Sequence, residues 1–416
     1  MILAQLGVEM SKTDKQHKDL DGFTSGEEIE AMDKRNVAGL FFARFLRSCS
    51  MNLQRPVLPT FASSLGADSE KMGMIQSISS LVALPSSLFL GRVADRVGRK
   101  IMFTASMVLT FLSRTMYALS TSWVHFIPAS IIGSISFRTY RPLSTTIGAE
   151  STVKESRALV MSLLSLGWTI PGFFLPYFAG VLAESIGERA VIWISAGAAA
   201  IGIIIAWAII RETYRFKSEP LEPISSLREL LKPNKDLKDI YLLKSIDSIS
   251  YGIWMRGVLF MFMVDAFQVT SSYLGALSSL RNALSAAMGP ISGWASDKIG
   301  RKELLVVSEA FGVLTLIALI MFPDPKAIRI YYPILVSGII ATWSSPYSAL
   351  LAERTSMKNR VTEMSKIDFL SSLIGLPFPF LGGFLFRRFG WRAPFLLALP
   401  LTFSSLIAAC MVREPT

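Results

Sequence analysis

The sequence is poor in the residue types on which most enzymes and metal sites depend. Its 416 residues include two cysteines, Cys49 and Cys410, and two histidines, His17 and His125. Because both cysteines lie in apolar stretches far apart in the chain, neither a disulfide framework nor a metal site is expected. The chain also lacks a Gly-Lys-Ser or Gly-Lys-Thr phosphate loop, a His-Glu-x-x-His zinc motif and a Gly-x-Ser-x-Gly nucleophile turn. We therefore expect no enzyme, no ATP-driven pump, no cofactor and no bound metal.

Charged residues are also scarce, at 18% of the chain, whereas 51% of the residues are hydrophobic. This composition lies well outside the range of soluble proteins and predicts an integral membrane protein. The net charge of +11 is explained by basic cytoplasmic loops, so nucleic acid is not an expected partner. Residues 1–36 carry many charges and no long apolar run, so we expect neither a signal peptide nor a span there.

Twelve apolar segments are long enough to cross a hydrocarbon core of about 30 Å, which takes roughly 20 residues. They lie at 37–58, 72–91, 101–121, 124–148, 159–182, 190–210, 240–264, 273–293, 303–322, 328–350, 362–386 and 393–412. The largest polar insert, 211–239, is rich in proline and charge and separates six spans from six. The predicted order is a cytoplasmic tail (1–36), a six-helix bundle (37–210), a cytoplasmic linker (211–239) and a second six-helix bundle (240–416).

Lysine and arginine are more frequent in the loops on one side of these spans than on the other, twelve against seven. The first set is Arg92, Arg96, Arg99, Lys100, Lys154, Arg157, Lys298, Arg301, Lys302, Arg354, Lys358 and Arg360, and the second is Lys71, Arg189, Lys326, Arg329, Arg387, Arg388 and Arg392. Positive charge marks cytoplasmic loops. Because an even number of spans puts both termini on one side, we predict a multi-pass plasma-membrane protein with both termini cytoplasmic.

A ten-residue motif occurs twice, each time after an apolar segment. Residues 91–100 read Gly-Arg-Val-Ala-Asp-Arg-Val-Gly-Arg-Lys, and residues 293–302 read Gly-Trp-Ala-Ser-Asp-Lys-Ile-Gly-Arg-Lys. The repetition extends further, since Pro-Tyr-Phe-Ala-Gly at 176–180 corresponds to Pro-Phe-Leu-Gly-Gly at 379–383. A repeat at half the chain length indicates two similar halves.

The pattern Gly-x-x-x-Asp-Arg-x-Gly-Arg-Lys at 91–100 resembles the signature loop of the major facilitator superfamily of transporters. The second copy carries Lys298 where the first carries Arg96. The resemblance covers nearly the whole chain after residue 36. It implies an all-α membrane protein with twelve transmembrane helices in two six-helix bundles related by a pseudo-two-fold axis. It also implies a secondary transporter that binds a small molecule near the bilayer midplane. A monomer is expected, because twelve spans can enclose a path within one chain.

The resemblance assigns a gating role to both loops and to neighbouring acids. These residues are Gly91, Asp95, Arg96, Gly98, Arg99, Lys100, Glu150, Gly293, Asp297, Lys298, Gly300, Arg301, Lys302 and Glu353. Asp95 would lie at the positive N-terminus of the eleventh span. Arg96, Arg99 and Lys100 would latch to acids such as Glu353, and Asp297 with Arg301 would mirror this near the fifth span. Gly91 and Gly293 would permit close helix approach.

Two positions depart from the proton:drug antiporters of the superfamily. Ala129 stands four residues before Gly133, where those antiporters carry an arginine. Their fifth-span Gly-Pro-x-x-Gly-Gly is reduced here to Leu-Pro-Tyr-Phe-Ala-Gly at 175–180. Both departures weaken an antiporter assignment.

Charged residues inside spans are the strongest functional signal, because a charge at the bilayer centre is costly unless it faces a cavity or a partner. Arg44, Arg47 and Arg55 share one face of the first span. The predicted substrate-binding residues are Arg44, Arg47, Arg138, Arg141, Arg256 and Arg281, and the predicted proton carriers are Asp247 and Asp368. Repeat alignment places Asp247 opposite Arg44 near the cytoplasmic mouth.

Structural alternatives exist for several of these charges. Arg55, near the end of its predicted span, is equally well explained by snorkelling to the membrane surface. Lys366 with Asp368, and Arg114, are also explained by ion pairs that hold helices together.

Three functional hypotheses follow from the sequence. The favoured one is a proton-coupled carrier of a small organic anion. The second is an exporter of amphipathic compounds by proton antiport, in which the arginines are structural. The third is a sensor that keeps the fold without moving solute, although such proteins usually carry larger soluble segments than the tail and linker found here.

Overall fold

The computed structural model describes residues 33–86, 93–94, 96–153, 156–213, 233–256, 258–355 and 360–414. These residues are mostly helical and contain no β-strand. In chain order the helices are α1 (Lys34–Gln54), α2 (Leu58–Ser64), α3 (Ser69–Ala83), α4 (Arg99–Leu119), α5 (Phe126–Glu150), α6 (Arg157–Ile186), α7 (Glu188–Ile209), α8 (Lys238–Trp254), α9 (Leu259–Phe267), α10 (Ser271–Ile299), α11 (Arg301–Met321), α12 (Pro325–Arg354), α13 (Arg360–Gly375), α14 (Phe378–Phe389) and α15 (Ala393–Cys410). Residues 1–32 of the predicted tail and 214–232 of the predicted linker lie outside the described residues.

Eight helical stretches in the described part of the chain are long and apolar enough to cross a membrane. The remaining predicted spans, 37–58, 72–91, 124–148 and 273–293, correspond to α1 with α2, α3, α5 and α10. Three of these four segments carry the intramembrane arginines of the sequence analysis, which lowers their mean hydropathy. An all-α membrane fold is therefore confirmed, and the helices are consistent with twelve spans.

The helices of the first and seventh predicted spans are each interrupted by a short non-helical segment. Helix α1 ends at Gln54 and α2 begins at Leu58, because Pro56 lacks an N–H group and its ring clashes with the preceding turn. Helix α8 likewise ends at Trp254, and α9 begins at Leu259. Arg55 and Arg256 lie in these two interruptions. The helical structure resumes in α2 and runs on to Ser64, so Arg55 lies between two helices rather than at the end of the helical segment.

The internal repeat reappears as matching atomic contacts in two halves, the first half (33–213) and the second half (233–414). Gly98 and Gly300 precede α4 and α11 with φ of +106° and +128°, a conformation that favours glycine. A carboxylate then meets the N-terminus of each helix. Glu212 accepts hydrogen bonds from the first two backbone N–H groups of α4 (2.9 and 3.1 Å), and Glu414 accepts one from the second N–H of α11 (3.1 Å).

The halves meet through helix pairs that pack backbone against backbone. Helix α6 lies against α10, α3 against α14, and α2 against α9. At four glycines, a Cβ atom would lie only 2.2–2.3 Å from a backbone oxygen of the other half. These contacts form two corresponding pairs, Gly73 with Pro379 and Gly275 with Pro176, then Gly180 with Ser271 and Gly383 with Ser69. Only glycine allows the helices to approach this closely.

Hydrogen bonds reinforce this packing at the end of the molecule away from the linker, which we call the closed end. Asp265 accepts from the N–H and Oγ of Ser69 (2.7 and 2.5 Å), and Arg387 forms an ion pair with Glu70 (2.8 Å). Among the described residues, the hydrogen bonds and ion pairs between halves involve only 60–77, 172–184, 265–282 and 380–387. The halves are thus joined at the closed end, and none of these bonds lies at the linker end.

Candidate functional site

Three adjoining chambers lie between the two halves. Their volumes are about 940 Å³ (the linker-end chamber), 520 Å³ (the side chamber) and 350 Å³ (the closed-end chamber), and Met51 lines all three. Volumes of this size suit a small-molecule ligand. Seven arginines line the chambers in the described part of the chain, namely Arg47, Arg55, Arg114, Arg138, Arg141, Arg256 and Arg281. Asp368 is the single carboxylate among the described lining residues. The cavity is therefore strongly cationic.

Arg55 and Arg281 bring two positive charges from opposite halves into the closed-end chamber. Each guanidinium repels the other. Arg281 is only 3% exposed, its Nη2 donates to Asn282 Oδ1 (2.9 Å), and its buried Nε has no hydrogen-bond partner among the described residues. The repulsion of buried Arg281 by Arg55 is unfavourable unless an anion lies between them. The structure thus places the predicted Arg281 in the cavity and adds Arg55.

The same chamber has an apolar wall. Met72, Ile75, Met255, Leu259 and Phe260 line it together with the two arginines. Such a lining offers hydrophobic contact to one part of a ligand and charge-assisted hydrogen bonds to another. The chamber is therefore suited to a molecule with an apolar body and an anionic group.

The linker-end chamber gathers four of the predicted site residues. Arg138 and Arg141 come from α5, Arg256 from the second half and Asp368 from α13. Asp368 attracts both Arg138 and Arg256, which repel each other. Asp368 therefore faces the cavity and does not pair with Lys366, which forms an ion pair with Glu363 (3.2 Å). The predicted Lys366–Asp368 pair is therefore wrong, since the partner of Lys366 lies one turn away on the same helix.

Arg44 and Arg47 occupy less open positions than the other arginines. Arg47 is 5% exposed, and its guanidinium lies 4.1 Å from the ring centre of Tyr140. Its hydrogen bonds go to Ser106 O (3.3 Å), Thr110 Oγ1 and Ser136 Oγ (3.0 Å). Arg47 therefore ties α1 to α4 and α5, although it also lines the linker-end chamber. Arg44 lies beside Tyr140 and is absent from the described lining of all three chambers.

Arg114 lines the chambers, whereas the sequence analysis explained it by an ion pair that holds helices together. It comes from α4, contributes to both the linker-end and closed-end chambers, and its Nε has no hydrogen-bond partner among the described residues. Its position in the middle of the predicted span 101–121 was the sequence feature that could have indicated a cavity-lining role.

The two remaining acids of interest lie inside the second half, away from the chambers. Asp247 is 6% exposed and accepts a hydrogen bond from Ser405 Oγ (2.6 Å). It therefore points into its own half, and the predicted position opposite Arg44 is wrong. Glu309 of α11 is fully buried near Asp247. Sequence reasoning missed Glu309, although a carboxylate in the middle of the apolar span 303–322 was visible there.

The predicted gating charges form ion pairs within each half. Arg99 pairs with Glu150 in the first half. Arg301 pairs with Asp297 (2.5 Å) and Glu353 (3.2 Å) in the second half. The predicted latch between Arg99 and Glu353 is therefore wrong in this conformation, because the repeat supplies each half with its own acid.

The other gating residues have local roles in this conformation. Lys100 and Lys298 place their Nζ atoms 5.1 and 4.4 Å from the ring centres of Trp207 and Trp294. Arg96 is exposed, and the backbone N–H of Lys302 donates to Glu414. A Cβ at Gly293 would meet nothing closer than 3.9 Å, so no close helix approach occurs there. Gly91 and Asp95 lie outside the described residues.

Known proteins resemble the chain over most of its length. The family model described as Major Facilitator Superfamily matches residues 40–261 and 248–416. The multi-drug resistance efflux pump PmrA of Streptococcus pneumoniae is 26% identical over 388 residues, covering 88% of this chain and 93% of PmrA. The crystal structure of the nucleoside transporter NupG matches with a TM-score of 0.70 at 14% identity, covering 90% of this chain and 98% of NupG. A bacterial homologue of the human lysosomal transporter Spinster, in an inward-facing and unoccupied conformation, matches with a TM-score of 0.68 at 14% identity, covering 93% of this chain and 96% of that structure.

Proposed function

Because the chain belongs to the major facilitator superfamily, and is thus a membrane transporter rather than an enzyme, we propose that it carries a small organic anion by proton-coupled alternating access. One observation carries the proposal. Arg55 and Arg281 approach from opposite halves into one chamber, and no carboxylate of the described residues forms an ion pair with either. An anion bound between them would offset their repulsion and supply the missing hydrogen-bond acceptor.

The same charges give a reason for alternating access. With the cavity empty, Arg138 and Arg256 repel each other across the linker-end chamber. A bound anion would reduce this repulsion and favour approach of the halves at the linker end. In the proposed orientation, with the basic loops in the cytoplasm, the structure corresponds to a carrier open to the cytoplasm. The pairs Arg99–Glu150 and Arg301–Glu353 would then exchange partners between the halves as the linker end closes.

Export of amphipathic compounds is the second candidate. Two observations support export: the similar protein PmrA is named an efflux pump, and the closed-end chamber has an apolar wall. The two candidates differ in the charge of the ligand, since a cavity lined by seven arginines opposes cationic compounds. An amphipathic anion that leaves the cell would satisfy both.

A ligand panel tests the proposal directly. We expect benzoate or fumarate to raise the thermal stability of the detergent-purified protein, whereas glucose and tetraphenylphosphonium do not. A ligand at a hundred times its dissociation constant stabilises the folded state by about 2.7 kcal/mol. Stabilisation by tetraphenylphosphonium alone would favour the exporter of cationic drugs and overturn the anion carrier. Solute counterflow in liposomes with the stabilising anion separates transport from sensing.

Removing the acid from the cavity is expected to strengthen anion binding. Asp368→Asn takes a negative charge away from Arg138 and Arg256, which lowers the repulsion that an anionic ligand meets. Since the chamber is wide and Asp368 is exposed to it, we expect a gain of roughly 1 kcal/mol, about fivefold in affinity. Isothermal titration with the anion found in the panel measures this change. A loss of affinity would mean that Asp368 contacts the ligand directly or must ionise for binding.

A further inference from the structure

Two buried acids of the second half form a close pair that the chambers do not reach. Asp247 of α8 is 6% exposed and Glu309 of α11 is 0% exposed. The two acids are neighbours inside the second half, since each acts electrostatically on the other and both interact with Ser405. Both lie in the middle of membrane-spanning helices, where an ionised group without a partner is costly.

Among the described residues, the carboxylate of Glu309 lacks a hydrogen-bond donor. Ser405 of α15 has one hydroxyl proton, which it donates to Asp247 Oδ1 (2.6 Å). Neither oxygen of Glu309 receives a hydrogen bond from an N–H or O–H group of the described residues. Two ionised carboxylates in contact repel each other, and one proton held between them removes the repulsion and supplies the missing hydrogen bond. We propose that Asp247 and Glu309 share one proton and form the proton-binding site of this transporter.

The charged and titratable groups around the pair come from several helices. They are Lys244 and Tyr251 of α8, Arg256 after α8, Tyr347 of α12 and Asp368 of α13. Lys244 lies beside aromatic rings and does not form an ion pair with either acid in the described part of the chain. Its Nζ lies 4.7 and 5.1 Å from the ring centres of Trp343 and Tyr347, and it forms no ion pair with Asp247 within the described residues. Lys244 and Arg256 attract Asp247 without contacting it, and no cation of the described residues forms an ion pair with either acid, so a shared proton neutralises one of them.

Arg256 connects the pair to the cavity. It lies in the interruption between α8 and α9, lines the linker-end chamber and is attracted by Asp247. When the pair releases its proton, it carries one more negative charge and attracts Arg256 more strongly. The same negative charge weakens the positive potential that attracts an anion into the chamber. When the pair takes up a proton from water, Arg256 is freer to attract the anion. This coupling rests on the proposed function and predicts that proton and anion favour each other's binding, which is the requirement for symport.

Infrared difference spectroscopy on the ligand-free protein tests the proton site without any substrate. We expect wild-type protein to show a carboxylic-acid carbonyl band that shifts in D₂O and disappears as the pH rises. In Glu309→Gln and Asp247→Asn the introduced amide donates a hydrogen bond to the remaining carboxylate and favours its ionised form. Both variants should therefore lose the band over the pH range in which the wild type shows it. Glu303→Gln, at an exposed site on the same helix, should leave the band unchanged.

Arg256→Gln tests the link to the cavity in the same measurement. Loss of a nearby positive charge should make the pair hold its proton to higher pH, by about one pH unit, or tenfold in proton affinity. An unshifted band would overturn the coupling through Arg256. Absence of the band from the wild type, or its persistence in both pair variants, would overturn the shared proton. The wild-type titration decides the first point even where a variant fails to fold. A negative ligand panel would overturn the anion carrier and leave the proton site standing.

Discussion

Replacing Arg281 with glutamine is expected to weaken binding of the stabilising anion by about thirtyfold or more. The guanidinium is almost fully buried, its Nε has no hydrogen-bond partner among the described residues, and it shares the closed-end chamber with Arg55. Loss of one member of a desolvated, hydrogen-bonded charge pair costs about 2–5 kcal/mol of binding free energy. Because each 1.4 kcal/mol is tenfold in affinity, even the lower bound is a large effect. Arg55→Gln should act in the same direction.

The same substitutions are expected to raise the thermal stability of the ligand-free protein. Either substitution removes the repulsion between Arg55 and Arg281, so the ligand-free variant should melt at a higher temperature than the wild type. This combination of higher stability and lost binding is typical of residues retained for function. Arg388→Gln is the matched control, since Arg388 is exposed at the closed end and lines no described chamber. Calorimetric titration that finds unchanged anion affinity in Arg281→Gln would contradict the assignment of the chamber.

The sequence was sufficient for the fold because hydrophobic length, loop charge and the repeated motif are local features. The sequence was less informative about where a residue lies along a membrane span. Snorkelling was an equal alternative for Arg55 because the predicted span ends at residue 58, whereas the helix resumes as α2 beyond Pro56 and Arg55 lines two chambers. Whether a proline ends a membrane helix or only kinks it depends on packing by neighbouring helices, here α9 against α2. That packing is set by the whole fold.

The partners of individual charges were also beyond sequence reasoning. Asp247 was aligned with Arg44 through the repeat, yet its carboxylate accepts a hydrogen bond from Ser405 and lies near Glu309, both within its own half. The latch between Arg99 and Glu353 assumed that the linker end was closed. In this conformation the ion pairs instead remain within each half. Alignment identifies equivalent positions, but the conformational state decides which equivalent partner is used.

The second large effect concerns the closed end. The double substitution Gly73→Ala with Gly275→Ala is expected to open it. Each new Cβ would lie 2.2 Å from a backbone oxygen, that of Pro379 or Pro176, and a helix backbone cannot yield as a flexible side chain can. Overpacking costs about 1–3 kcal/mol per site, and 1–3 kcal/mol corresponds to roughly 5–150-fold in an equilibrium. The two sites correspond through the repeat, so their effects should reinforce each other.

Spin labels at exposed Ser64 and Lys326, one in each half at the closed end, would report the change as a longer inter-label distance. The background needs Cys49→Ser and Cys410→Ser so that only the introduced cysteines react. Gly197→Ala is the control, because Gly197 is exposed on α7 and an added Cβ there would meet nothing within 4 Å. An unchanged distance in the double variant would show that the glycines do not limit opening. Since Gly73 and Gly275 line none of the described chambers, loss of transport in the double variant would reflect the altered closed end rather than the loss of a ligand contact.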